Sequence, residues 1–435
     1  MPEAGHAQHL SGCSRSPAGK FALLRLADSG ASMEAVGAVS IRVAMVTTHP
    51  IQYQVPWLKL LGSRPDIDLH VFFAMLPDSA EQGREFGVAF NWDMPLLEGY
   101  AYKVLENRAK QPSLTEWAGC DTPGVFGELK RGRFDAVLVN GWGSKTALQA
   151  LLACRWLGIP CIVRGEANGL RARNTFKRLG HRVLLRQYAA FLAIGQENRR
   201  YYRSLGVGAE NIFDTPYCVD NVRFADSAAE VRAEASRSEM RSGLGLQPDA
   251  TTFLFSGKFV GKKHPLDVIE ALRVLVDQGT RKVQLLMVGD GPLRSELERA
   301  AEGLPIVFAG FLNQSQIVRA YAASDCLVLP SDAGETWGLV VNEAMACGLP
   351  AIVSDQVGCA VDLVRPEETG AIYPCRDVGR LAACMKEATK APEQWAEYGK
   401  AAKARIESGY AFERVVLGVL AALERAAMRK VTRAS

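Results

Sequence analysis

The sequence predicts an α/β protein made of two Rossmann-like domains that face each other across a cleft. The chain has 435 residues, whereas a single hydrophobic core stops growing near ~250 residues. From Ile41 onward, short β-branched runs alternate with amphipathic stretches, which is typical of βαβ units around a parallel sheet. The alternation occurs twice, on either side of a polar stretch. Because such sheets bind ligands at the carboxyl ends of their strands, we expect a ligand in the cleft.

The chain divides into five predicted regions. Residues 1–40 mix Gly, Ser, Ala and His, and their one apolar stretch is too short for a signal peptide, so we expect a loose extension. The polar, charge-rich residues 225–250 are predicted to be a linker. The remaining regions are the first domain at 41–224, the second domain at 251–409, and a C-terminal helix and tail at 410–435.

Apolar β-branched runs predict the strands of both domains, and amphipathic stretches predict the helices. The predicted strands are Ile41–Thr48, Leu69–Met75, Ala136–Val139, Pro160–Val163, Ala190–Ile194, Thr252–Lys258, Val283–Val288, Ile306–Ala309, Cys326–Leu329 and Pro350–Val353. The predicted helices are Gln54–Leu61, Lys145–Leu157, Arg171–Gln187, Glu197–Leu205, Pro265–Asp277, Pro292–Ala301, Ser315–Ala323, Leu339–Cys347, Val378–Thr389 and Phe412–Met428.

Composition excludes several classes of protein. Hydrophobic residues make up 48% and charged residues 23%, as in an ordinary globular chain. The net charge of +4 is too small to indicate a nucleic-acid partner. The longest apolar run, Val415–Leu423, falls short of the ~18 residues that span a bilayer. The 10 cysteines include no CxxC pair and accompany only 6 histidines, so we expect neither a metal site nor a disulfide scaffold, but a reduced cytoplasmic enzyme.

A glycine-containing turn follows the predicted strand Val283–Val288. Gly289 and Gly291 would let the backbone approach a phosphate at the start of the next helix. The third position of the dinucleotide fingerprint is Arg294 instead of glycine, which disfavours a dinucleotide-binding fold. A tight turn without a ligand is the alternative interpretation.

Cations cluster at the carboxyl end of the first strand of the second domain, where Lys258, Lys262 and Lys263 follow one another closely. A diphosphate leaving group gains negative charge as its bond breaks, and ammonium groups placed there stabilise the transition state. The alternative is a solvated basic loop. The position at a strand end favours the functional interpretation.

Two carboxylates, Glu335 and Glu343, flank a predicted loop-to-helix junction. The backbone N–H groups between them are the unpaired donors of the helix start, so they are suited to a phosphate or sugar oxygen. Glu343 is placed to accept hydrogen bonds from vicinal hydroxyls. For Glu335, a helix-start carboxylate without a ligand is the alternative.

These segments, with two others, occur in the order found in a known family. They resemble the donor-binding domain of GT-B retaining glycosyltransferases of the glycogen-synthase-like family four, the group 1 glycosyl transferases. The matching segments are Gly257-Lys258 with Lys263 (the first lysine is usually arginine), Val288–Pro292, Val307–Phe311, Pro330-Ser331 followed by Glu335 and Glu343, and Glu343–Pro350. The resemblance covers residues 253–377 and implies that the last helix crosses back onto the first domain.

The resemblance also implies roles for individual residues. Lys258 and Lys263 would neutralise the diphosphate, Glu343 would bind the ribose hydroxyls, and Glu335 would be the catalytic residue beside the transferred sugar. The backbone would position phosphate and sugar at Gly289, Thr336, Trp337, Gly338 and Leu339. Transfer would retain the anomeric configuration, with a nucleoside diphosphate sugar as substrate, no metal and no other cofactor.

The first domain resembles the family less. Residues 217–224 are similar to the run that closes the acceptor domain, but residues 48–53 lack the diglycine loop of many members, and Asn140 stands where many carry a histidine. Polar and aromatic side chains at predicted strand ends suit a carbohydrate acceptor. The predicted acceptor-side residues are His49, Asn140 and Glu166. A structural role for each of them is the alternative.

A basic amphipathic segment, Arg171–Arg186, lies in a stretch without acids between Glu166 and Glu197. On a helix, Phe176, Leu179 and Val183 would share one face. Another face would carry Arg171, Arg178, Arg182 and Arg186. Such a segment suits an anionic membrane surface, at about 1 kcal/mol per cation. It would place a peripheral enzyme of polysaccharide biosynthesis beside a lipid-linked or cell-surface glycan acceptor on the cytoplasmic face. A solvated helix packed on its own domain is the alternative.

Other functions remain open at the level of sequence. A sugar-nucleotide 2-epimerase uses the same two-domain architecture, but it would need acid–base carboxylates and a histidine in the cleft. A catalytically idle nucleotide-sugar-binding subunit would explain the altered first-domain loop. An NAD-dependent reductase is disfavoured because no complete fingerprint with a downstream acid occurs.

Overall fold

The computed structural model describes residues 40–83 and 89–434. The predicted N-terminal extension lies outside the described residues, apart from Ser40. Two parallel sheets, each flanked by helices, confirm the predicted architecture of two Rossmann-like domains. The central strands of each sheet are buried because helices cover both of its faces, whereas the edge strand β3 is exposed.

The first domain contains a seven-stranded sheet in the order β3-β2-β1-β4-β5-β6-β7. Its strands are β1 Ile41–Thr47, β2 Ile67–Phe73, β3 Ala101–Val104, β4 Ala136–Asn140, β5 Cys161–Gly165, β6 Ala190–Ala193 and β7 Ile212–Asp214. Its helices are α1 Val55–Gly62, α2 Ser79–Gly83, α3 Val125–Gly132, α4 Lys145–Leu157, α5 Thr175–Leu185 and α6 Gln196–Ser204, with a 3₁₀ turn at Ala209–Asn211.

The second domain contains a six-stranded sheet in the order β10-β9-β8-β11-β12-β13. Its strands are β8 Thr251–Ser256, β9 Val283–Val288, β10 Ile306–Gly310, β11 Cys326–Leu329, β12 Ala351–Ser354 and β13 Gly370–Tyr373. The helices from the end of the first domain onward are α7 Asn221–Glu234, α8 Arg237–Gly243, α9 Pro265–Asp277, α10 Arg294–Ala300, α11 Ile317–Ala323, α12 Leu339–Ala346, α13 Ala360–Leu363, α14 Val378–Lys390, α15 Pro392–Gly409 and α16 Phe412–Ala434, with a 3₁₀ turn at Gly261–Lys263.

The stretch predicted to be a linker, 225–250, is largely helical and packs on the second domain. Phe224 and Ala228 of α7 are buried in the core below β8 and β11, and Met240 of α8 packs on α11. Ser236 and Glu239 form a capping box at the start of α8. The composition is polar because only one face of each helix is buried, so the apolar positions are sparse.

The last helix crosses back to the first domain, as the resemblance implied. Val415, Val419 and Leu423 of α16 are buried in the same cluster as the strands β1, β2 and β5. The break between α15 and α16 lies at Tyr410, whose hydroxyl donates to the carbonyl oxygen of Asp362 at 3.0 Å. The first domain therefore acquires part of its core from the far end of the chain.

Candidate functional site

A cavity of about 330 Å³ lies between the two domains, at the carboxyl ends of β8 and β9. We call it the interdomain cavity. It is lined by every residue that the sequence predicted for donor binding and catalysis, namely Lys258, Lys263, Gly289, Glu335, Thr336, Trp337, Gly338, Leu339 and Glu343. From the first domain it is lined by Gln52, Tyr53, Trp92, Glu166 and Tyr217.

Lys263 lies at the end of the 3₁₀ turn that follows β8, and its ammonium group forms an ion pair with the carboxylate of Glu335. Both side chains are largely buried, with 13% and 15% of their surfaces exposed. The hydroxyl of Ser331 lies 3.5 Å from the same carboxylate oxygen of Glu335. A predicted diphosphate-binding cation and the predicted catalytic carboxylate are therefore in direct contact.

Gly289 permits a close approach between two strand ends. Its φ is +130°, and a Cβ atom at this position would lie 1.9 Å from the carbonyl oxygen of Gly257. Its N–H donates to the carbonyl oxygen of Gly310 at 2.8 Å. Because that N–H is already bonded within the protein, Gly289 does not offer a hydrogen-bond donor to a ligand. It lines the cavity without a side chain that would obstruct it.

Four consecutive residues at the start of α12, 336–339, line the interdomain cavity. Gly338 has a φ of +101°, and a Cβ atom there would lie 2.9 Å from Cδ2 of Leu329, so the turn requires glycine. The first N–H groups of a helix have no intrahelical acceptor and carry the positive end of the helix dipole. This backbone therefore offers donors for an anionic or hydroxyl-rich ligand.

Glu343 lies within α12, and each of its carboxylate oxygens has one protein donor. Tyr321 donates to Oε2 at 2.7 Å, and the amide of Gln314 donates to Oε1 at 3.2 Å. Burial raises the pKa of Glu343, and the hydrogen bonds from Tyr321 and Gln314 lower it. A carboxylate has about four acceptor positions, so Glu343 can accept further hydrogen bonds from a ligand in the cavity.

Glu166 connects the two domains from the acceptor side. It receives a hydrogen bond from the hydroxyl of Tyr217, and the hydroxyl of Thr336 in the second domain lies 3.5 Å from its Oε2. Glu166 also lines a second cavity of about 330 Å³, within the first domain, together with Asn140, Trp142 and Glu116. Two of the predicted acceptor-side residues, Asn140 and Glu166, therefore share one cavity.

His49 is not among the residues that line either cavity, although its neighbour Thr48 lines the second one. Its Nδ1 is 2.9 Å from the hydroxyl of Thr48. Burial lowers the pKa of His49 to about 4, so the ring is neutral at pH 7. The structure thus brings together two of the three acceptor-side predictions.

Sequence reasoning missed a contact that crosses the mouth of the interdomain cavity. The carbonyl oxygen of Asn91 accepts from the amide of Asn313 at 2.9 Å, and the carboxylate of Asp93 accepts from the backbone N–H of Ser315 at 2.9 Å. Trp92, between them, lines the cavity. These residues lie in an irregular segment without periodicity, so no local pattern could have identified them.

The basic segment forms α5, but the helix begins at Thr175 and not at Arg171. The side chain of Asn174 caps it by accepting from the N–H of Lys177 at 2.8 Å, which leaves Arg171 in the preceding loop. The predicted apolar stripe is strongly exposed, at 86% for Phe176, 57% for Leu179 and 53% for Val183.

The helix α5 adjoins the second cavity. The ring of its His181 packs edge-on against that of Trp142 at 5.7 Å, and Trp142 lines the cavity. A molecule bound there would therefore lie beside α5.

Within residues 40–83 and 89–434, no group of three or more His, Cys, Asp or Glu side chains is arranged to hold a metal ion. None of the helices in this described part combines the length and apolar character that a bilayer span requires. A larger groove of about 1100 Å³ lies behind the domain junction, lined by α15 and α16, and contains none of the predicted site residues.

Comparisons with known proteins agree with this arrangement. Residues 236–405 match the family model described as glycosyl transferases group 1. The chain is 35% identical over 148 residues to a GDP-mannose-dependent alpha-(1-6)-phosphatidylinositol dimannoside mannosyltransferase of Mycobacterium tuberculosis, covering 34% of this chain and 36% of the relative. It is 27% identical over 251 residues to a GDP-mannose-dependent mannosyltransferase of Corynebacterium glutamicum that acts on a monoacylated phosphatidylinositol monomannoside, covering 56% of this chain and 62% of the relative.

Among solved structures, the fold is similar to that of Anabaena HepE in complex with UDP and glucose. The TM-score is 0.64 at 16% identity, with 87% of this chain and 98% of the other covered. This likeness shows the GT-B fold. The chain spans only about a third of the length of the first curated relatives it matches, at 36% and 33%.

Proposed function

We propose that this protein transfers a sugar from a nucleoside diphosphate sugar to a hydroxyl group of an acceptor. The match of residues 236–405 to the family model described as glycosyl transferases group 1 supports this proposal. The observation that carries the proposal is the convergence of Lys258, Lys263, Glu335 and Glu343 on one cavity at the start of α12. Ammonium groups and a helix start suit a diphosphate, and carboxylates suit the hydroxyls of a ribose or a sugar.

In the proposed reaction, the bond between the anomeric carbon and the diphosphate oxygen breaks. The oxygen of the acceptor hydroxyl bonds to the same face of the anomeric carbon, and its proton passes to the leaving phosphate oxygen. The configuration is thereby retained, and no protein base is needed. Lys258 and Lys263 stabilise the charge that develops on the leaving group, which is the work that a divalent cation does elsewhere.

In this proposal, Glu335 and Glu343 contact different parts of the donor. Glu343 is fixed by Tyr321 and Gln314 inside α12 and binds the ribose hydroxyls. Glu335 is held by Lys263 at the loop before the helix and lies beside the transferred sugar. The fixed carboxylate therefore serves binding, and the ion-paired carboxylate serves turnover.

The second cavity is the proposed acceptor site. Glu166 lines both cavities, so a hydroxyl held there would lie between the donor and the rest of the acceptor. Trp142 supplies an aromatic wall of the kind that packs against a sugar ring. Its contact with α5 supports an acceptor that is lipid-linked, with its lipid part toward the exposed apolar stripe.

We further propose that α5 rests on an anionic membrane surface at the cytoplasmic face. Arg178 and Arg182 are exposed on the same short helix as the apolar stripe, and Arg186 is exposed directly after its last residue. Apolar side chains that enter the interface and cations that meet the headgroups are the two terms that hold such a helix on a bilayer. This location would bring the enzyme to a lipid-linked glycan.

Two alternatives differ in what they require. Among the described residues, no histidine lines the interdomain cavity, which disfavours the sugar-nucleotide 2-epimerase. The idle nucleotide-sugar-binding subunit requires only the donor half of the site. It would bind nucleotide sugars without turning them over.

The test begins with thermal-shift measurements of the full chain in the presence of nucleoside diphosphates and nucleotide sugars, with and without EDTA. An assay of nucleoside diphosphate release from the nucleotide sugars follows. The ligands include GDP-mannose and UDP-glucose, because two relatives depend on GDP-mannose and a similar structure contains UDP. We expect one base class to stabilise the protein with EDTA present. Stabilisation without turnover would support the idle subunit, and no stabilisation by any nucleotide would contradict the proposed function.

A further inference from the structure

Asn342 is a fully buried amide on α12, next to the proposed ribose-binding Glu343. Its exposed fraction is 0%, and it is not among the residues that line the interdomain cavity. Its side chain makes two hydrogen bonds. The Oδ1 atom accepts from the indole N–H of Trp337 at 2.8 Å, and Nδ2 donates to the carbonyl oxygen of Tyr217 at 3.1 Å.

The two partners of Asn342 belong to different parts of the site. Trp337 lies in the donor-side loop at the start of α12, and Tyr217 lies in the segment that leaves β7 of the first domain. Both are 3% exposed, and their rings lie 5.9 Å apart. The amide is therefore a hydrogen-bonded bridge between the donor loop and the first domain.

Tyr217 connects Asn342 to the acceptor side of the site. Its hydroxyl donates to Glu166, and the guanidinium of Arg164 lies 4.5 Å from its ring centroid. The position of the Tyr217 backbone thus fixes the hydroxyl that holds Glu166. A continuous series of contacts runs from Trp337 through Asn342 and Tyr217 to Glu166.

We propose that Asn342 is a positioning residue that aligns the two halves of the site, an inference that rests on the proposed glycosyl transfer. It acts through Trp337 and Tyr217 and does not touch the substrates. An amide suits this place because it offers both a donor and an acceptor. Replacement by a group that lacks either function leaves a buried partner unpaired, which costs more than the hydrogen bond itself contributes.

The decisive variant is Asn342→Asp, examined as a function of pH. An ionised carboxylate accepts from Trp337 but repels the carbonyl oxygen of Tyr217. A buried carboxyl has a raised pKa, and once protonated it again offers a donor and an acceptor. The variant should therefore recover toward wild type as the pH falls.

Two quantities are measured. The first is the rate at which GDP is released from GDP-mannose or UDP from UDP-glucose, and the second is the binding of GDP and UDP by calorimetry. For Asn342→Asp at pH 8 we expect kcat to fall by about tenfold or more, while the Kd of the diphosphate stays within about twofold. The ratio of variant to wild-type kcat should rise steadily toward pH 5. A ratio that does not change with pH, or a loss of affinity equal to the loss of kcat, would overturn the proposal.

The matched control is Gln284→Glu. Gln284 is 2% exposed and also bridges backbone groups, since its Oε1 accepts from the N–H of Gln247 at 2.7 Å and its Nε2 donates to the carbonyl oxygen of Gln247 at 2.9 Å. It lies at the opposite end of β9 from the cavity. We expect this variant to lose stability without a pH-dependent change in kcat.

A second arm is independent of activity. Thermal unfolding of Asn342→Leu, Trp337→Phe and the double variant forms a double-mutant cycle. We expect the double variant to lose less stability than the two single variants together, because both remove the same hydrogen bond. Additive losses would overturn the bridge. A wild type that releases no nucleoside diphosphate would contradict the proposed function, and the cycle would still decide whether Asn342 is coupled to Trp337.

Discussion

The ammonium group of Lys263 and the carboxylate of Glu335 form an ion pair in the wall of the interdomain cavity. Their low exposure, 13% and 15%, leaves little solvent to screen the interaction. A diphosphate placed there would share Lys263 with Glu335. In the proposed reaction, the charge that Lys263 supplies to the leaving group would be balanced against the carboxylate of Glu335 beside the sugar, and the two residues would act as one unit.

Replacement of Lys263 by alanine should weaken the binding of nucleoside diphosphates more than that of monophosphates. The ammonium group contributes a charge-assisted contact, so we expect a Kd about tenfold or more higher for UDP or GDP. Calorimetric titration of each diphosphate and its monophosphate would measure the difference. Lys400→Ala, at a residue 74% exposed on α15, is the control. Equal weakening of both ligands would contradict a role at the distal phosphate.

The variants Glu343→Ala and Glu335→Ala should separate binding from turnover. Removal of Glu343 takes away the ribose acceptor and leaves Tyr321 and Gln314 without their partner, so we expect nucleotide affinity to fall by about 10- to 100-fold. Removal of Glu335 should lower kcat by roughly 100-fold with little change in affinity. Titration and initial rates would measure both. Equal loss of affinity in the two variants would refute this division.

Binding to anionic vesicles should depend on the exposed stripe of α5. Phe176→Ser with Leu179→Ser removes the apolar side chains that would enter the interface, so we expect flotation with phosphatidylglycerol vesicles to be lost. Leu417→Ser is the control, because Leu417 is 60% exposed on α16 and lies outside α5. Equal flotation of the wild type, the α5 double variant and the Leu417→Ser control would exclude α5 as the membrane contact.

The cations of α5 should make the same interaction depend on lipid charge. Conversion of Arg178, Arg182 and Arg186 to glutamine removes about 1 kcal/mol of attraction per residue. Flotation with phosphatidylglycerol should fall by at least tenfold. Pure phosphatidylcholine vesicles should bind neither protein well. A wild type that floats equally with both lipids would show that charge plays no part.

Stability should vary with pH through Asp362, which is 5% exposed at the domain junction. Its carboxylate accepts from the N–H of Gln196 at 3.0 Å and faces Tyr410 and Arg405. Burial raises the pKa of Asp362 to about 6 from 3.8, although the hydrogen bonds from Gln196 and Tyr410 oppose the shift. The stability this group provides is therefore complete below pH 4 and is lost as the pH rises through 6.

The variant Asp362→Asn removes that titration while keeping an oxygen for the N–H of Gln196. Relative to wild type, its free energy of unfolding should increase by about 2–3 kcal/mol between pH 4 and pH 7. Thermal or urea unfolding of both proteins across this range would measure the difference. A difference that stays constant with pH would mean that Asp362 does not titrate in this range.

Elements with dense apolar patterns could be predicted from the sequence residue by residue. The strands Val283–Val288 and Cys326–Leu329 and the helix Pro265–Asp277 have the same bounds in the structure. Their side chains are buried along the whole strand or along one wide helix face, so the pattern carries the information. The donor side of the cavity could be predicted because Lys258 and Gly289 closely follow such strands, and because the order of its segments resembles that of a known family.

Elements with weak patterns were missed. Helix α15 buries Trp395, Gly399, Ala402 and Ile406, and two of these four are too small to form a visible apolar stripe. Strand β3 has four exposed residues, so alternation has no meaning there. Such segments are held by packing against elements distant in sequence, which local patterns do not report.

The acceptor side could be predicted only in part. Glu166 owes its place to Tyr217, which lies far away in the sequence, and to Thr336 in the other domain. Trp92 lines the cavity between two contacts with the second domain, one made by the backbone carbonyl of Asn91 and one by the side-chain carboxylate of Asp93. These relationships arise from tertiary structure, which local sequence patterns do not report. The position of His49 after a strand predicted a residue facing the cleft, but in the structure its side chain is largely buried, which lowers its pKa and leaves the ring neutral.

The crossing of α16 has a consequence for how the molecule is made on the ribosome. The strands β5, β6 and β7 are synthesised well before α16, but the apolar surface that α16 covers on them stays open until the second domain has been translated. A chain in this state exposes apolar surface, which favours aggregation and chaperone binding. The first domain is thus begun first and completed last, and expression of residues 41–224 alone would yield an insoluble product.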